Sequence, residues 1–207
     1  PISFAAKPMA AALDLPALPA PVLQLAKWLQ QYYPAPLGMI TQQLLPELSK
    51  PDADLSVPPF STPALDRMPP LTTQQQSVTS AISKPDTYLL HGVTGSGKTR
   101  VYVELAARAL AGGRSSLILT PEISLTSQLA ERFRAVFGQR VLVMHSQQTA
   151  MERRRVWQQI LLAAEPVIVI GPRSILFSPL RSIGLIVLDE AHEPAYKQEQ
   201  APHYQAA

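Results

Sequence analysis

The 207-residue sequence contains no cysteine, which excludes disulfide bonds and cysteine-ligated zinc sites within it. No apolar run approaches the roughly 18 residues that a membrane-spanning helix needs, and no signal peptide is recognisable at the N-terminus. An initiator methionine is also missing, since the sequence opens at Pro1, and we therefore expect a piece of a longer protein. Together these absences predict a cytoplasmic protein that does not associate with a membrane.

A large excess of charge of one sign is also lacking. The net charge is only +3, which is compatible with a polyanionic partner but does not require one. Hydrophobic residues make up 46% of the chain, so a folded core of substantial size is expected.

Prolines divide the chain into segments of different character. Residues 1–21 are predicted to form a loose tail, residues 22–50 a helical segment, and residues 51–70 a proline-rich linker. Residues 71–207 alternate between short apolar runs and helical patterns, and we interpret them as a single lobe.

Within that lobe, the apolar runs rich in Val, Ile and Leu predict buried strands. The predicted strands are Thr87–His91, Ser116–Thr120, Val141–Met144, Val167–Ile170 and Leu185–Leu188. The predicted helices are Thr99–Ala111, Ser124–Val136 and Ala150–Ala163. This alternation predicts an α/β fold with a parallel sheet covered by helices on both faces.

The strongest motif is the segment from Gly92 to Thr99, which reads Gly-Val-Thr-Gly-Ser-Gly-Lys-Thr and matches the phosphate-loop pattern. Its glycines allow backbone N–H groups to surround phosphate oxygens at the start of a helix. Lys98 is expected to reach the β- and γ-phosphates of ATP, and the Thr99 hydroxyl to bind Mg²⁺. The predicted nucleotide-binding residues of this loop are Gly92, Thr94, Gly95, Ser96, Gly97, Lys98 and Thr99.

A second motif places two carboxylates at the end of the apolar strand Leu185–Leu188. Open α/β sheets bind their ligands at the carboxyl ends of the strands. Asp189 is therefore predicted to hold the Mg²⁺, and Glu190 to orient and deprotonate the attacking water. With Lys98, these two carboxylates are the predicted catalytic residues of a RecA-like P-loop ATPase lobe.

These two motifs occur in kinases, transporter subunits and many other ATPases, so they do not identify the class of ATPase. Further segments of the sequence distinguish between these classes. They are Leu71–Gln75, Thr120–Gln128, Val143–Ser146 with Glu152-Arg153, Ile170–Phe177, and Asp189–Glu199. Leu71–Gln75, Thr120–Gln128 and Ile170–Phe177 resemble the Gln motif, motif Ia and motif Ib of superfamily 2 helicases, and all of the segments resemble the sequence pattern of the primosomal protein N′ family. The resemblance covers about residues 71–204, and more faintly residues 22–46, which are similar to the start of that family's winged-helix region; a generic helical hairpin is the alternative for residues 22–46.

The resemblance implies that Gln75 contacts the adenine of ATP. It also implies that single-stranded or forked DNA is bound through Ser124, Thr126, Arg173, Ser174, Tyr196 and Lys197. Further partners implied by the family are other primosome proteins and single-strand-binding proteins. The chain departs from the family pattern at Arg100, Pro172 and Ala191, and at several positions near residue 205.

The implied function is that of the ATP-binding lobe of an ATP-dependent 3′-to-5′ DNA helicase that acts in replication restart and primosome assembly. The alternative is a non-catalytic nucleotide- and DNA-binding module of the same family. No Ser-Ala-Thr motif, second motor lobe or zinc-binding cysteine cluster follows Asp189. We therefore expect an incomplete sheet, and nucleotide binding without appreciable turnover by this chain alone.

Overall fold

A computed structural model describes residues 15–33, 35–46, 64–65, 68–93, 95–198 and 204–206, without the side chains of Ile123 and Ser124. The predicted tail and linker lie largely outside the described residues. The helices are α1 (Ala20–Tyr32), α2 (Leu37–Leu44), α3 (Thr73–Ala81), α4 (Lys98–Ala111), α5 (Ile123–Phe137) and α6 (Ala150–Leu162). The strands are β1 (Ser115–Leu119), β2 (Val141–Val143), β3 (Ile168–Gly171), β4 (Ile183–Leu188), β5 (Lys197–Gln198) and β6 (Tyr204–Gln205).

Four of these strands form a parallel sheet in the order β2-β3-β1-β4. Because side chains alternate across a strand, Ile118 of β1 packs with the helices α4 and α5 on one face, whereas Leu117 and Leu119 pack on the other face. Both faces are therefore covered, and the predicted α/β fold of a RecA-like lobe is confirmed.

The parallel arrangement brings the carboxyl ends of the strands to one edge of the sheet. The loops that follow β1, β3 and β4 leave from this edge, and Asp189 is held next to β1 by a hydrogen bond from its N–H to the carbonyl oxygen of Leu119 (2.9 Å). The topology thus gathers the predicted motifs at this edge.

The predicted strand Thr87–His91 is not formed, so this prediction was wrong. Residues 87–93 form neither helix nor strand and pair with no strand among the described residues, and Leu89 remains 89% exposed. A strand is stabilised by hydrogen bonds to a neighbour, and β4 at the edge of the sheet pairs only with β1 in the part of the chain that is described. Ile183 and Ile186 of β4 are accordingly exposed.

The helices α1 and α2 pack on each other and on the lobe. Their buried residues form a cluster with Phe177 and Tyr204, and the indole N–H of Trp157 donates to the carbonyl oxygen of Leu44 (3.0 Å). The helical segment is thus joined to the lobe through the same region as β6. No helix among the described residues is both long and apolar enough to cross a bilayer.

Candidate functional site

The turn that precedes α4 depends on glycine. Gly95 and Gly97 have φ angles of 81° and 83°, a region that side chains other than glycine rarely adopt. Gly92 is also close-packed, since a Cβ added there would lie 2.6 Å from Oγ of Ser96. The turn directs the chain into α4 at Lys98, where the first N–H groups of the helix have no helical partner and favour an anion. Thr94 lies outside the described residues.

Lys98 joins this turn to the end of β4. Its Nζ donates to the carbonyl oxygen of Gly92 at 2.8 Å and lies 3.4 Å from Oε1 of Glu190. Both side chains are only partly exposed, so the ion pair is less screened than one on the open surface. The ammonium group of Lys98 is therefore held against the turn that precedes the N-terminus of α4.

Asp189 and Glu190 follow β4 in a tight turn. Glu190 has a φ of 49°, in the left-handed region that is uncommon outside glycine, and its carbonyl oxygen accepts from the N–H of Glu193. The hydroxyl of Tyr102 donates to Oδ1 of Asp189 at 3.1 Å. Burial raises the pKa of the Asp189 carboxyl above its ordinary value, and the Tyr102 hydrogen bond partly offsets this rise. The turn thus presents two carboxylates beside Lys98.

Gln75 lies next to the turn before α4. It takes part in a capping box at the start of α3, in which its side-chain oxygen accepts from the N–H of Thr72. Its Nε2 donates to the carbonyl oxygen of Gly97 at 3.3 Å. The same amide therefore fixes the start of α3 and contacts the phosphate-loop turn.

Two of the residues predicted to bind DNA, Thr126 and Tyr196, are buried in this structure. Thr126 is fully buried, and its hydroxyl bonds to Thr120 and to the carbonyl oxygen of Glu122. Tyr196 is 0% exposed, and its hydroxyl donates to the carbonyl oxygens of Leu119 and Asp189. The Tyr196 ring has no exposed surface here, and its hydroxyl supports the turn that contains Asp189.

Arg173 is also engaged within the protein. Its guanidinium donates to the carbonyl oxygens of Ala195 and Lys197 (2.9 Å for Lys197) and to the side chain of Gln198. That Arg173 contacts DNA stays a prediction, and these three acceptors use only part of the five N–H donors of its guanidinium. Ser174 and Lys197 are exposed, and the side chain of Ser124 lies outside the described residues.

Tyr102 is a site residue that the sequence interpretation missed. It lies one helical turn after Lys98, so both side chains occur on the same side of α4. That spacing is the signal that could have found it. The exposed His192 is a second such residue, with its imidazole 3.8 Å from Oε2 of Glu190 and 3.6 Å from Oε1 of Glu193.

The donor set of this site fits Mg²⁺ better than zinc. No cluster of three or more His, Cys, Asp or Glu residues that could hold a metal occurs in the described part of the chain. A hydroxyl from Thr99 and a carboxylate from Asp189 are hard oxygen donors, and Mg²⁺ is commonly bound by one or two such groups together with substrate phosphates and water.

Comparison with known proteins is consistent with this geometry. The family description DEAD/DEAH box helicase matches residues 72–207. The replication restart protein PriA of Synechocystis is 46% identical over 153 residues, which cover 71% of this chain and 18% of the relative. The Bacillus subtilis protein of the same name is 42% identical (66% of this chain, 18% of the relative), and that of Rickettsia felis is 36% identical (94% of this chain, 30% of the relative). The resemblance seen in the sequence is thereby confirmed, and the chain spans between 18% and 30% of the length of these relatives.

Proposed function

The chain belongs to the DEAD/DEAH box helicase family, and we propose that it is the ATP-binding lobe of an ATP-dependent 3′-to-5′ DNA helicase that acts in replication restart and primosome assembly. Relatives that are named replication restart proteins support the biological part of this proposal. A cytoplasmic location, forked or single-stranded DNA as substrate, and primosome and single-strand-binding proteins as partners belong to the same proposal.

The main support for this proposal is the ion pair between Lys98 and Glu190. The phosphate-loop lysine and the second carboxylate of the acidic turn are far apart in sequence, yet Nζ and Oε1 lie 3.4 Å apart. A triphosphate over the turn would face the N-terminus of α4 and Lys98 on one side and the acidic turn on the other. This is the arrangement that phosphoryl transfer to water requires, in which positioning and charge stabilisation supply most of the catalysis.

Each group has a distinct part in this proposal. The N–H groups at the start of α4 and the ammonium of Lys98 bind phosphate oxygens. Thr99 and Asp189 hold Mg²⁺, which neutralises phosphate charge when bound. Glu190 orients the attacking water and accepts its proton. Gln75 reads the adenine from its place beside Gly97.

DNA contact is proposed for the exposed groups on the loops at the same edge of the sheet. Ser174 and Lys197 are exposed; Ser174 follows Arg173 in the chain, and the carbonyl oxygen of Lys197 accepts from Arg173. Lysine and hydroxyl groups of this kind bind phosphates without reading sequence. The proposed roles of Thr126, Arg173 and Tyr196 are to support these loops.

A second candidate is a module that binds nucleotide and DNA without turnover. The segment immediately before the phosphate loop, residues 87–91, has no strand partner among the described residues. Catalysis needs reacting groups held to well under an ångström. An unsupported phosphate loop therefore favours binding without appreciable hydrolysis by this chain alone.

Titration with a fluorescent N-methylanthraniloyl-ATP in the presence of Mg²⁺ tests nucleotide binding. A charged hydrogen bond contributes about 1.5–3 kcal/mol, so Lys98→Ala is expected to weaken binding by about 10- to 100-fold. The matched control is Lys84→Ala, whose exposed side chain lies outside the site. Equal binding by both variants, or no binding by the unmodified chain, would overturn the proposal.

Fluorescence anisotropy with a labelled single-stranded DNA tests the DNA part. Binding should weaken as salt rises, and more steeply for the unmodified chain than for Lys197→Ala, since a phosphate contact releases counterions. Lys84→Ala should leave the salt dependence unchanged. Identical salt dependence for all three proteins would remove Lys197 from the proposed surface.

A further inference from the structure

The hydroxyl groups of two buried tyrosines hold Asp189 from different elements of the fold. Tyr102 of α4 donates to the carboxylate oxygen Oδ1 at 3.1 Å, and Tyr196 donates to the main-chain carbonyl oxygen of the same residue. Tyr102 is 6% exposed and Tyr196 is fully buried. The side chain and the backbone of Asp189 are therefore restrained independently.

The Tyr102 contact has a defined direction. The Tyr102 hydroxyl is the donor and Oδ1 of Asp189 the acceptor, because a phenol carries a proton to donate and an ionised carboxylate only accepts. A carboxylate has about four lone-pair positions, and one hydrogen bond from a phenol leaves room for a cation on the same group. Tyr102 thus orients the carboxylate without neutralising it.

The position of Tyr102 on α4 gives this contact a consequence for metal binding. Thr99, the other proposed Mg²⁺ ligand, lies on the first turn of the same helix, three residues before Tyr102. One rigid element therefore presents one ligand directly and fixes the orientation of the other through the phenol.

We propose that Tyr102 is a positioning residue that holds the Asp189 carboxylate in the orientation in which it binds a divalent cation together with nucleotide. The inference rests on the proposed nucleotide-binding function. Groups that orient a metal ligand typically change metal affinity by about 10- to 100-fold when they are removed. The hydroxyl of Tyr102 should therefore affect the Mg²⁺ dependence of nucleotide binding and leave metal-free binding largely unchanged.

The test is a titration of the chain with N-methylanthraniloyl-ATP, first in EDTA and then over a series of Mg²⁺ concentrations. Tyr102→Phe is expected to keep the EDTA affinity of the unmodified chain and to raise the Mg²⁺ concentration for half-maximal enhancement by about 10-fold. The matched control is Tyr88→Phe, which removes a hydroxyl bonded to the carbonyl oxygen of Lys84 on the exposed surface. It should leave both quantities unchanged.

A purely structural role would change both quantities, and Asp189→Asn provides a second check. If Tyr102 acts through the carboxylate, adding Tyr102→Phe to Asp189→Asn should shift the Mg²⁺ midpoint no further. An unchanged midpoint in Tyr102→Phe, equal losses with and without Mg²⁺, or additive shifts in the double variant would each overturn the inference. If the unmodified chain shows no Mg²⁺-dependent binding, the proposed function fails first and the inference fails with it.

Discussion

Nζ of Lys98 lies 3.4 Å from Oε1 of Glu190, so the lysine of the phosphate-loop turn is paired with the acidic turn that follows β4. The same Nζ donates to the carbonyl oxygen of Gly92, so this hydrogen bond joins the beginning and the end of the turn. A triphosphate that enters the site must compete with both contacts for the ammonium group. Nucleotide binding and the position of Glu190 are therefore expected to be linked.

Glu190→Gln should bind ATP at least as tightly as the unmodified chain, and up to about 10-fold more tightly. The substitution removes a negative charge near the triphosphate and frees Lys98 from an ion pair. Nucleotide titration measures the effect, with Glu193→Gln as a control for a neighbouring carboxylate that does not contact Lys98. Clearly weaker ATP binding by Glu190→Gln would argue against this competition.

Tyr196→Phe should destabilise the fold by about 1–3 kcal/mol, because it removes a buried donor from two carbonyl oxygens while keeping the ring. Urea denaturation followed by circular dichroism measures the change. Tyr32→Phe is the control, since that ring is 65% exposed and should tolerate the loss of its hydroxyl. Full stability of Tyr196→Phe would show that the buried hydroxyl does not secure the turn at Asp189.

Two glycine-to-alanine substitutions should differ in their effect on stability: Gly171→Ala should lower the free energy of unfolding, and Gly38→Ala should not. A Cβ at Gly171 would overlap the carbonyl oxygen of Met144 and lie 2.6 Å from Cγ2 of Ile175, so Gly171→Ala should cost about 1–3 kcal/mol of stability or more. At Gly38 in α2 nothing lies within 4 Å of the added atom, and Gly38→Ala should be neutral or stabilising by up to about 1 kcal/mol. Denaturation midpoints that moved in the same direction for both variants would contradict the packing described at β3.

Arg173→Ala should loosen the segment that contains Ala195, Lys197 and Gln198. Loss of these charge-assisted hydrogen bonds, each worth about 1.5 kcal/mol or more, should speed local amide exchange by at least about 10-fold. Hydrogen–deuterium exchange with mass spectrometry measures it, and the exposed Arg181→Ala serves as the control. Unchanged exchange around residue 197 would leave Arg173 available for an external ligand, as the sequence first suggested.

Much of the sheet could be predicted from the sequence because its strands are buried on both faces. Runs such as those around Ile118 and Val169 have few alternatives to a parallel sheet, and the structure forms β1 and β3 there. The segment 87–91 has a similar apolar composition but no partner among the described residues. Composition indicates that a segment can form a strand. Whether it does so depends on a neighbouring strand that pairs with it, and that neighbour is set by the tertiary fold.

The phosphate-loop turn was predictable for a different reason. The backbone at Gly95 and Gly97 is left-handed, so the spacing of glycines in the sequence reports the backbone conformation directly. Side-chain direction is not encoded in this way. Tyr196 and Arg173 are residue types that suit a DNA surface, but the first is directed into the core and the second towards carbonyl oxygens of its own chain.

We propose that the turn before α4 and the acidic turn after β4 form one nucleotide site. Hydrogen–deuterium exchange of the chain with and without ATP and Mg²⁺ measures whether both turns respond to the same ligand. We expect nucleotide to slow exchange in residues 92–100 and in residues 188–192 together, and Lys98→Ala to abolish both effects. Protection of only one of these segments, or of neither at saturating ATP, would contradict it.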